Sequence, residues 1–231
     1  MEKILVLLVL LAGCYSQPED QTGRVFIFPR RSAVDYVRLT PSLNSTVNAL
    51  KAITICQRFL SSDKDGQTLF SVATKCHHNS PLLYKYADRY EVYMRVTKDP
   101  LTFWGLPNNL NEWHSYCFTW ESNTGLVQLW VNGVNSAKQM GYKGGSIEAA
   151  PSMILGQDQD SYGGGFAKKN AFVGHVTDVH VWDKVISDCD IRDFTEGSSF
   201  KPGNVINWHR LEFTMGGEVV LEDQQKCCED E

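Results

Sequence analysis

Residues 113–133 read WHSYCFTWESNTGLVQLWVNG, and they contain two segments, 113–120 and 126–131, that are rich in aromatic and β-branched residues. Short segments of this composition, bounded by turn-forming residues, predict β-strands. The dipeptide Asn132-Gly133 follows the second segment and is typical of a two-residue hairpin turn. This part of the chain therefore predicts antiparallel β-structure.

Similar short segments occur along most of the chain. They lie at 24–28, 36–40, 52–56, 68–73, 90–96, 153–155, 172–182, 205–208 and 218–221, with turn-forming residues between them. Many short strands at this spacing predict an all-β sandwich that is larger than an immunoglobulin-like domain.

One short helix is predicted after Trp182. Ser187 can cap its N-terminus, and Asp190 stands three residues later, as in a capping box. Gly197 can end the helix. We therefore expect a β-sandwich with a single short helix in its last third.

The N-terminus has the features of a signal peptide. Lys3 precedes an apolar run at 4–12, which is too short to span a bilayer. Small residues follow this run, so we expect residues 1–16 to be cleaved and the protein to be secreted and extracellular. The alternative is a bacterial lipoprotein box at 11–14 with a lipidated Cys14.

Residues 17–231 are expected to form one domain with a short charged, cysteine-bearing tail from about residue 222. The chain is 42% hydrophobic and 21% charged, an ordinary globular composition. No linker divides it, and no later segment is apolar for long enough to be a transmembrane segment. The net charge of −5 indicates no basic surface, so no nucleic-acid-specific site is expected.

Cysteines in a secreted protein are expected to form disulfides. Of the seven cysteines, six lie beyond Cys14: Cys56, Cys76, Cys117, Cys189, Cys227 and Cys228. Their spacing matches no structural zinc pattern and assigns no pairing. Asn44 opens an Asn-Ser-Thr glycosylation sequon, which agrees with secretion.

Two blocks of the sequence resemble the short pentraxin family. Residues 114–122, HSYCFTWES, resemble the signature His-x-Cys-x-Ser/Thr-Trp-x-Ser, with one additional residue between His114 and Cys117. Residues 154–164, ILGQDQDSYGG, resemble the calcium loop of the same family. The likeness extends from about Arg24 to Val220 and so covers nearly the whole predicted mature chain.

The resemblance implies a two-sheet antiparallel jelly-roll sandwich of the concanavalin A or lectin type, with a disulfide between Cys56 and Cys117. It also implies a non-enzymatic, calcium-dependent pattern-recognition protein of innate immunity and the acute-phase response. Such proteins bind phosphocholine-like or phosphoethanolamine-like groups or anionic polysaccharides on microbes or damaged cells. They form cyclic homo-oligomers, usually pentamers, and engage complement and Fc receptors.

Calcium requires six to eight oxygen ligands. By resemblance, one calcium site takes Asn79, Asp158, the carbonyl of Gln159 and Asp160. His78 stands where the family has an Asp, and a neutral imidazole is a poor calcium ligand. One calcium ion is therefore expected at this loop.

A second calcium ion of the family uses a Glu and a Gln that align with Ala167 and Asn170. Ala167 has no side-chain oxygen, and Asn170 is one methylene shorter than Gln. The resemblance therefore implies a depleted second site, with Asn170 as its remaining candidate ligand.

Tyr84 and Tyr93 align with tyrosines that line the ligand pocket in one branch of the family. An aromatic wall can hold an alkyl or cationic group, although Tyr93 could equally cover a sheet face. Lys98 stands where choline-binding members have a Glu that meets the ammonium group. The ligand-binding candidates are thus Tyr84, Tyr93 and Lys98.

Several alternatives remain open. The cationic cluster of His77, His78, Lys168 and Lys169 could hold anionic ligands directly, or bind a transition metal. Asp158 and Asp160 could be the paired carboxylates of a sandwich-fold glycoside hydrolase. A non-calcium extracellular structural module is a third alternative. For Cys227 and Cys228, a bridge to another chain competes with a local bridge or one to Cys189.

Overall fold

The computed structural model describes residues 18–42, 48–95 and 99–224. Five sequence-based expectations lie outside these residues: the signal peptide at 1–16, the Asn44 sequon, Lys98, and the tail cysteines Cys227 and Cys228. Among the described residues, there is no helix with the length and apolar character needed to cross a membrane.

Antiparallel strands make up most of the described structure. They are β1 (Arg24–Phe28), β2 (Tyr36–Leu39), β3 (Ala52–Leu60), β4 (Gln67–Ala73), β5 (Leu82–Lys85), β6 (Arg89–Tyr93), β7 (Leu101–Trp104), β8 (His114–Glu121), β9 (Leu126–Val131), β10 (Val134–Asn135), β11 (Gln139–Met140), β12 (Ser152–Leu155), β13 (Gly174–Trp182), β14 (Phe213–Gly216) and β15 (Val220–Asp223). The helix α1 spans Asp188–Glu196, and 3-10 turns span Lys168–Asn170 and Trp208–Arg210.

The strands form two sheets. Sheet I has eight strands in the order β10-β9-β8-β3-β13-β1-β15, with β11 also paired to β9. Sheet II has seven strands in the order β14-β2-β12-β4-β5-β6-β7. Side chains from both sheets, such as Phe26, Trp120, Phe70 and Tyr90, form one buried core between them. The predicted two-sheet antiparallel sandwich is confirmed.

The helix lies against the outer face of sheet I. Ser187 accepts a hydrogen bond from the Asp190 backbone N–H, and the Asp190 side chain accepts one from the Ser187 backbone N–H, so the predicted capping box is present. Gly197 ends the helix in the left-handed region at φ 71°. Ile191 and Phe194 are buried, and they pack in a cluster that includes the Cys56–Cys117 disulfide. This cluster explains why β3 and β8 are buried on both faces.

The predicted hairpin turn at Asn132-Gly133 is confirmed. Val131 pairs with Val134, so two residues connect β9 to β10. Asn132 and Gly133 have φ values of 49° and 77°, the left-handed conformations that this tight turn requires.

The predicted strand at 205–208 is wrong. Ile206 forms only an isolated bridge with Val181, and a 3-10 turn begins at Trp208. The side chain of Asn207 accepts a hydrogen bond from the His209 backbone N–H and so favours the turn over an extended strand. The sequence pattern also missed β5, β7, β10, β11 and β14, which are all short.

Candidate functional site

The loop that follows β12 carries three of the predicted calcium ligands. It is held across the outer face of sheet II by the side chain of Gln159, which is fully buried. The Gln159 Nε2 donates to the Ser71 carbonyl, the Ser71 hydroxyl and the Ser152 carbonyl, each at 3.1 Å, and its Oε1 accepts from the Gly163 N–H at 2.9 Å. Because this side chain is fully used inside the protein, only the backbone carbonyl of Gln159 is left for a ligand.

Asp158 is a buried carboxylate, with 8% of its surface exposed. Burial, together with the neighbouring Asp160 carboxylate, raises its pKa to about 6, against the opposing influence of the Asn170 hydrogen bond, His78 and Lys169. Its Oδ2 accepts a hydrogen bond from Asn170 Nδ2 at 2.9 Å. Asp160, two residues along, is exposed. Two carboxylates are therefore close together, and one of them is poorly solvated.

The second loop with a predicted ligand is held by backbone contacts. Asn79 adopts φ 55°, a left-handed conformation that Asn tolerates, and its carbonyl accepts from the Arg95 N–H at 2.6 Å. The adjacent His78 lies near enough to Asp158 for its charge to favour the ionised carboxylate. The fold therefore brings the 78–79 loop to the Asp158 loop, although about 80 positions separate them in the sequence.

Two oxygens of the predicted ligands are buried and unpaired. Asn79 Oδ1 and Asp158 Oδ1 each accept no hydrogen bond from any residue in the described part of the chain. A buried oxygen without a partner is costly, and such atoms in a native protein usually face an ion or water. This pair of oxygens has the chemistry that a hard cation such as calcium requires.

No three His, Cys, Asp or Glu side chains converge as a metal-binding group within residues 18–42, 48–95 and 99–224. A cation at this loop would therefore need amide and backbone oxygens as well as the two carboxylates.

Arg31 holds the turn that presents Asn170, and sequence reasoning missed it. Its Nη1 donates to the carbonyls of Lys169 at 3.0 Å and Ala171 at 3.2 Å, and its Nε donates to Asp63 Oδ2 at 2.7 Å. Only the folded chain brings residue 31 to residue 170, so no local pattern could have identified this role.

Tyr84 connects the Asp158 loop with the strands beside it. Its hydroxyl donates to Asn170 Oδ1 at 3.4 Å, and burial raises its pKa above the ordinary value. Tyr93 lies on the same face of the sheet, where its hydroxyl donates to Glu91 Oε2 at 2.9 Å. Tyr84 thus lies at the predicted site, whereas Tyr93 is held by a neighbouring carboxylate.

Residues of the predicted cationic cluster have different acidic neighbours. His78 and Lys169 both influence Asp158. His77 instead lies 3.9 Å from Glu148, which also pairs with Arg95 at 2.8 Å.

Cys76 and Cys189 are exposed, and neither is bonded to another cysteine of the described residues.

Known proteins resemble this chain in sequence and in fold. The family model described as "Pentaxin family" matches residues 24–223. Serum amyloid P-component of Mus musculus is 36% identical over 225 residues, covering 96% of this chain and 97% of that protein. C-reactive protein of Sus scrofa is 36% identical over 228 residues, covering 97% and 99%. A heptameric SAP-like pentraxin from Limulus polyphemus superposes with a TM-score of 0.81 at 21% identity, covering 90% of this chain and 99% of that structure.

Proposed function

Because this chain belongs to the pentaxin family, we propose that it is a secreted, calcium-dependent pattern-recognition protein of innate immunity and the acute-phase response. Family membership makes it a recognition protein rather than an enzyme, which removes the glycoside-hydrolase alternative. Its ligands are phosphorylated or anionic groups on microbes or damaged cells, of the phosphocholine-like or acidic-sugar kind.

The unpaired buried oxygens of Asn79 and Asp158 carry the calcium proposal. Together with the Gln159 carbonyl and Asp160, they supply oxygen ligands of the type that calcium prefers, and water completes the coordination. Bound calcium would supply a positive charge for anionic ligand oxygens.

One calcium ion per subunit is proposed. Ala167 contributes no side-chain oxygen, and Asn170 already donates to Asp158 Oδ2 and accepts from Tyr84. Lys169 adds positive charge beside Asp158. These features disfavour a second cation at the same loop.

A closed ring of identical subunits is proposed as the functional assembly. The Limulus relative is heptameric, whereas the resemblance to short pentraxins leads us to expect five subunits. A ring multiplies weak single sites on a repetitive surface into strong overall binding. Complement and Fc receptors are the proposed partners of the assembled ring.

Calorimetric titration of the purified secreted protein with calcium tests the proposal. We expect about one site per subunit, with an affinity near the millimolar range of extracellular calcium modules. Asp158→Asn and Asp160→Asn should both lose binding, whereas Asp183→Asn, at an exposed aspartate beside the helix, should retain it. Absence of calcium binding in the wild type at millimolar concentrations would contradict the calcium-dependent function and favour a structural module.

A further inference from the structure

A second aromatic cluster lies on the outer face of sheet II, further from the calcium loop than Tyr84. Trp104, on the edge strand β7, has 62% of its surface exposed. The guanidinium carbon of Arg89 lies 5.3 Å from the centroid of the Trp104 ring and 3.8 Å from that of Tyr86. Arg89 therefore lies over two aromatic rings, and the Trp104 ring is largely open to solvent.

This cluster is held in place before any ligand binds. Arg89 and Trp104 are direct cross-strand partners of β6 and β7. Arg89 Nε donates to Glu91 Oε1 at 2.8 Å, and Arg89 Nη1 donates to Asp88 Oδ1 at 3.0 Å. Since Arg89 is hydrogen-bonded to two carboxylates, its side chain has little conformational entropy left to lose on binding.

The cluster is continuous with the proposed calcium site. The rings of Tyr84 and Tyr86 are 5.1 Å apart, and Tyr84 donates to Asn170 beside Asp158. Gly66 lies against both rings, because a Cβ at this position would come within 2.6 Å of Tyr84 and 2.7 Å of Tyr86. A line of aromatic side chains therefore runs from the calcium loop to Trp104.

The charges around Trp104 limit what the cluster can bind. The positive charge of Arg89 is balanced by Asp88 and Glu91. An anionic group of a ligand would therefore gain little attraction here. A quaternary ammonium group would lie beside the guanidinium of Arg89, which already makes the cation–π contact with both rings. An exposed indole face surrounded by hydrogen-bonding groups instead suits a neutral pyranose, whose C–H face is apolar and whose hydroxyls need polar partners.

We propose that Tyr86, Arg89 and Trp104 form an extended sugar subsite, which binds a neutral pyranose unit of an oligosaccharide whose anionic group lies at the Asp158 loop. The inference rests on the proposed function and deepens it. The subsite makes the protein selective for glycan chains over isolated anionic monosaccharides.

Two probes of different length test the subsite. Binding of mannose 6-phosphate and of a phosphorylated mannose tetrasaccharide would be measured in calcium for the wild type, Trp104→Ala and Trp113→Ala. Trp113 is the matched control, because it is 41% exposed and lies beside His175 of sheet I. Light scattering would verify that all three proteins form the same assembly.

We expect Trp104→Ala to weaken tetrasaccharide binding about three- to tenfold, as loss of an aromatic contact does. Its binding of mannose 6-phosphate should equal that of the wild type, and Trp113→Ala should bind both probes normally. Equal tetrasaccharide affinity of Trp104→Ala and wild type would overturn the subsite while leaving the calcium site intact. A changed assembly in Trp104→Ala would overturn it by making Trp104 an interface residue. No binding of either probe by the wild type would refute the proposed anionic-glycan function, and the subsite with it.

Discussion

Buried polar side chains in this protein have contrasting environments. Asp158 keeps one oxygen without a hydrogen-bond partner among the described residues, which fits a role in binding. His180 is also buried, but its Nδ1 accepts from the Gly203 and Trp208 N–H groups at 3.4 and 3.5 Å. Burial, helped by the nearby His209, lowers the pKa of His180 to about 3 from its ordinary 6.5. His180 is thus a neutral structural residue.

The lowered pKa of His180 predicts a loss of stability in acid. Below about pH 6.5 the unfolded chain binds a proton at this position that the folded protein does not bind until about pH 3. The contribution of neutral His180 is therefore fully present above pH 6.5 and decreases as the pH falls toward 3. In His180→Asn, which keeps an acceptor, the melting temperature should decrease less between pH 7 and 4.5 than in the wild type. His175→Asn is the control, and equal slopes in all three proteins would contradict the prediction.

At the scale of elements, the site depends on short connections that long-range contacts hold in place. Asn170 belongs to the 3-10 turn at Lys168–Asn170, and none of the three residues of this turn is buried. Arg31 holds the turn in place instead, because it donates hydrogen bonds to the carbonyls of Lys169 and Ala171. The turn is therefore positioned by a side chain from the segment between β1 and β2.

Arg31→Lys should weaken calcium binding about tenfold, in the range found when a group that orients a metal ligand is changed. Lysine keeps the positive charge, but it lacks the planar guanidinium group with which Arg31 bonds Asp63 and two carbonyls at once. Arg30→Lys is the matched control, because Arg30 is half-exposed and pairs with Asp35 and Glu218 away from the turn. Calorimetry gives the affinities, and an unchanged value for Arg31→Lys would show that the turn needs no such anchor.

At the scale of the whole molecule, the disulfide and the helix cluster join the centre of sheet I. Cys56 and Cys117 are register partners on β3 and β8, and 61 positions separate them in the chain. The bond is buried beneath α1 with Trp130 and Trp182. Its main effect is to restrict the unfolded chain, because it closes a long loop.

Replacing both Cys56 and Cys117 by alanine should lower the free energy of unfolding by about 4 kcal/mol, as expected for a loop of this length. Denaturant unfolding measures the change. Cys76→Ala with Cys189→Ala is the control, because both of these cysteines are exposed and their loss should change stability little. Equal stability of the two double variants would contradict a stabilising role of the disulfide.

Much of the fold was predictable because its signals are local. The strand signal at 126–131, the Asn132-Gly133 turn and the Ser187 capping box all act within a few residues, and the structure has each of these features. Where a local preference competed with another, as at Asn207, the strand prediction was wrong. Short strands such as β5 and β7 have too few residues for a periodic signal, and their neighbours in the sheet stabilise them.

The acidic triplet at 158–160 and the family resemblance can be read directly from the chain, because ligand types and signature blocks are contiguous in the sequence. Which atoms of that triplet are available depends on tertiary structure. Packing uses the whole side chain of Gln159, leaves Asp158 Oδ1 buried and unpaired among the described residues, and brings Arg31 to the Asn170 turn. The contacts of Arg89 with Tyr86 and Trp104 likewise exist only because β5, β6 and β7 pair side by side. Composition and spacing specify which groups a chain contains, but burial and long-range contacts specify which of them are free to bind.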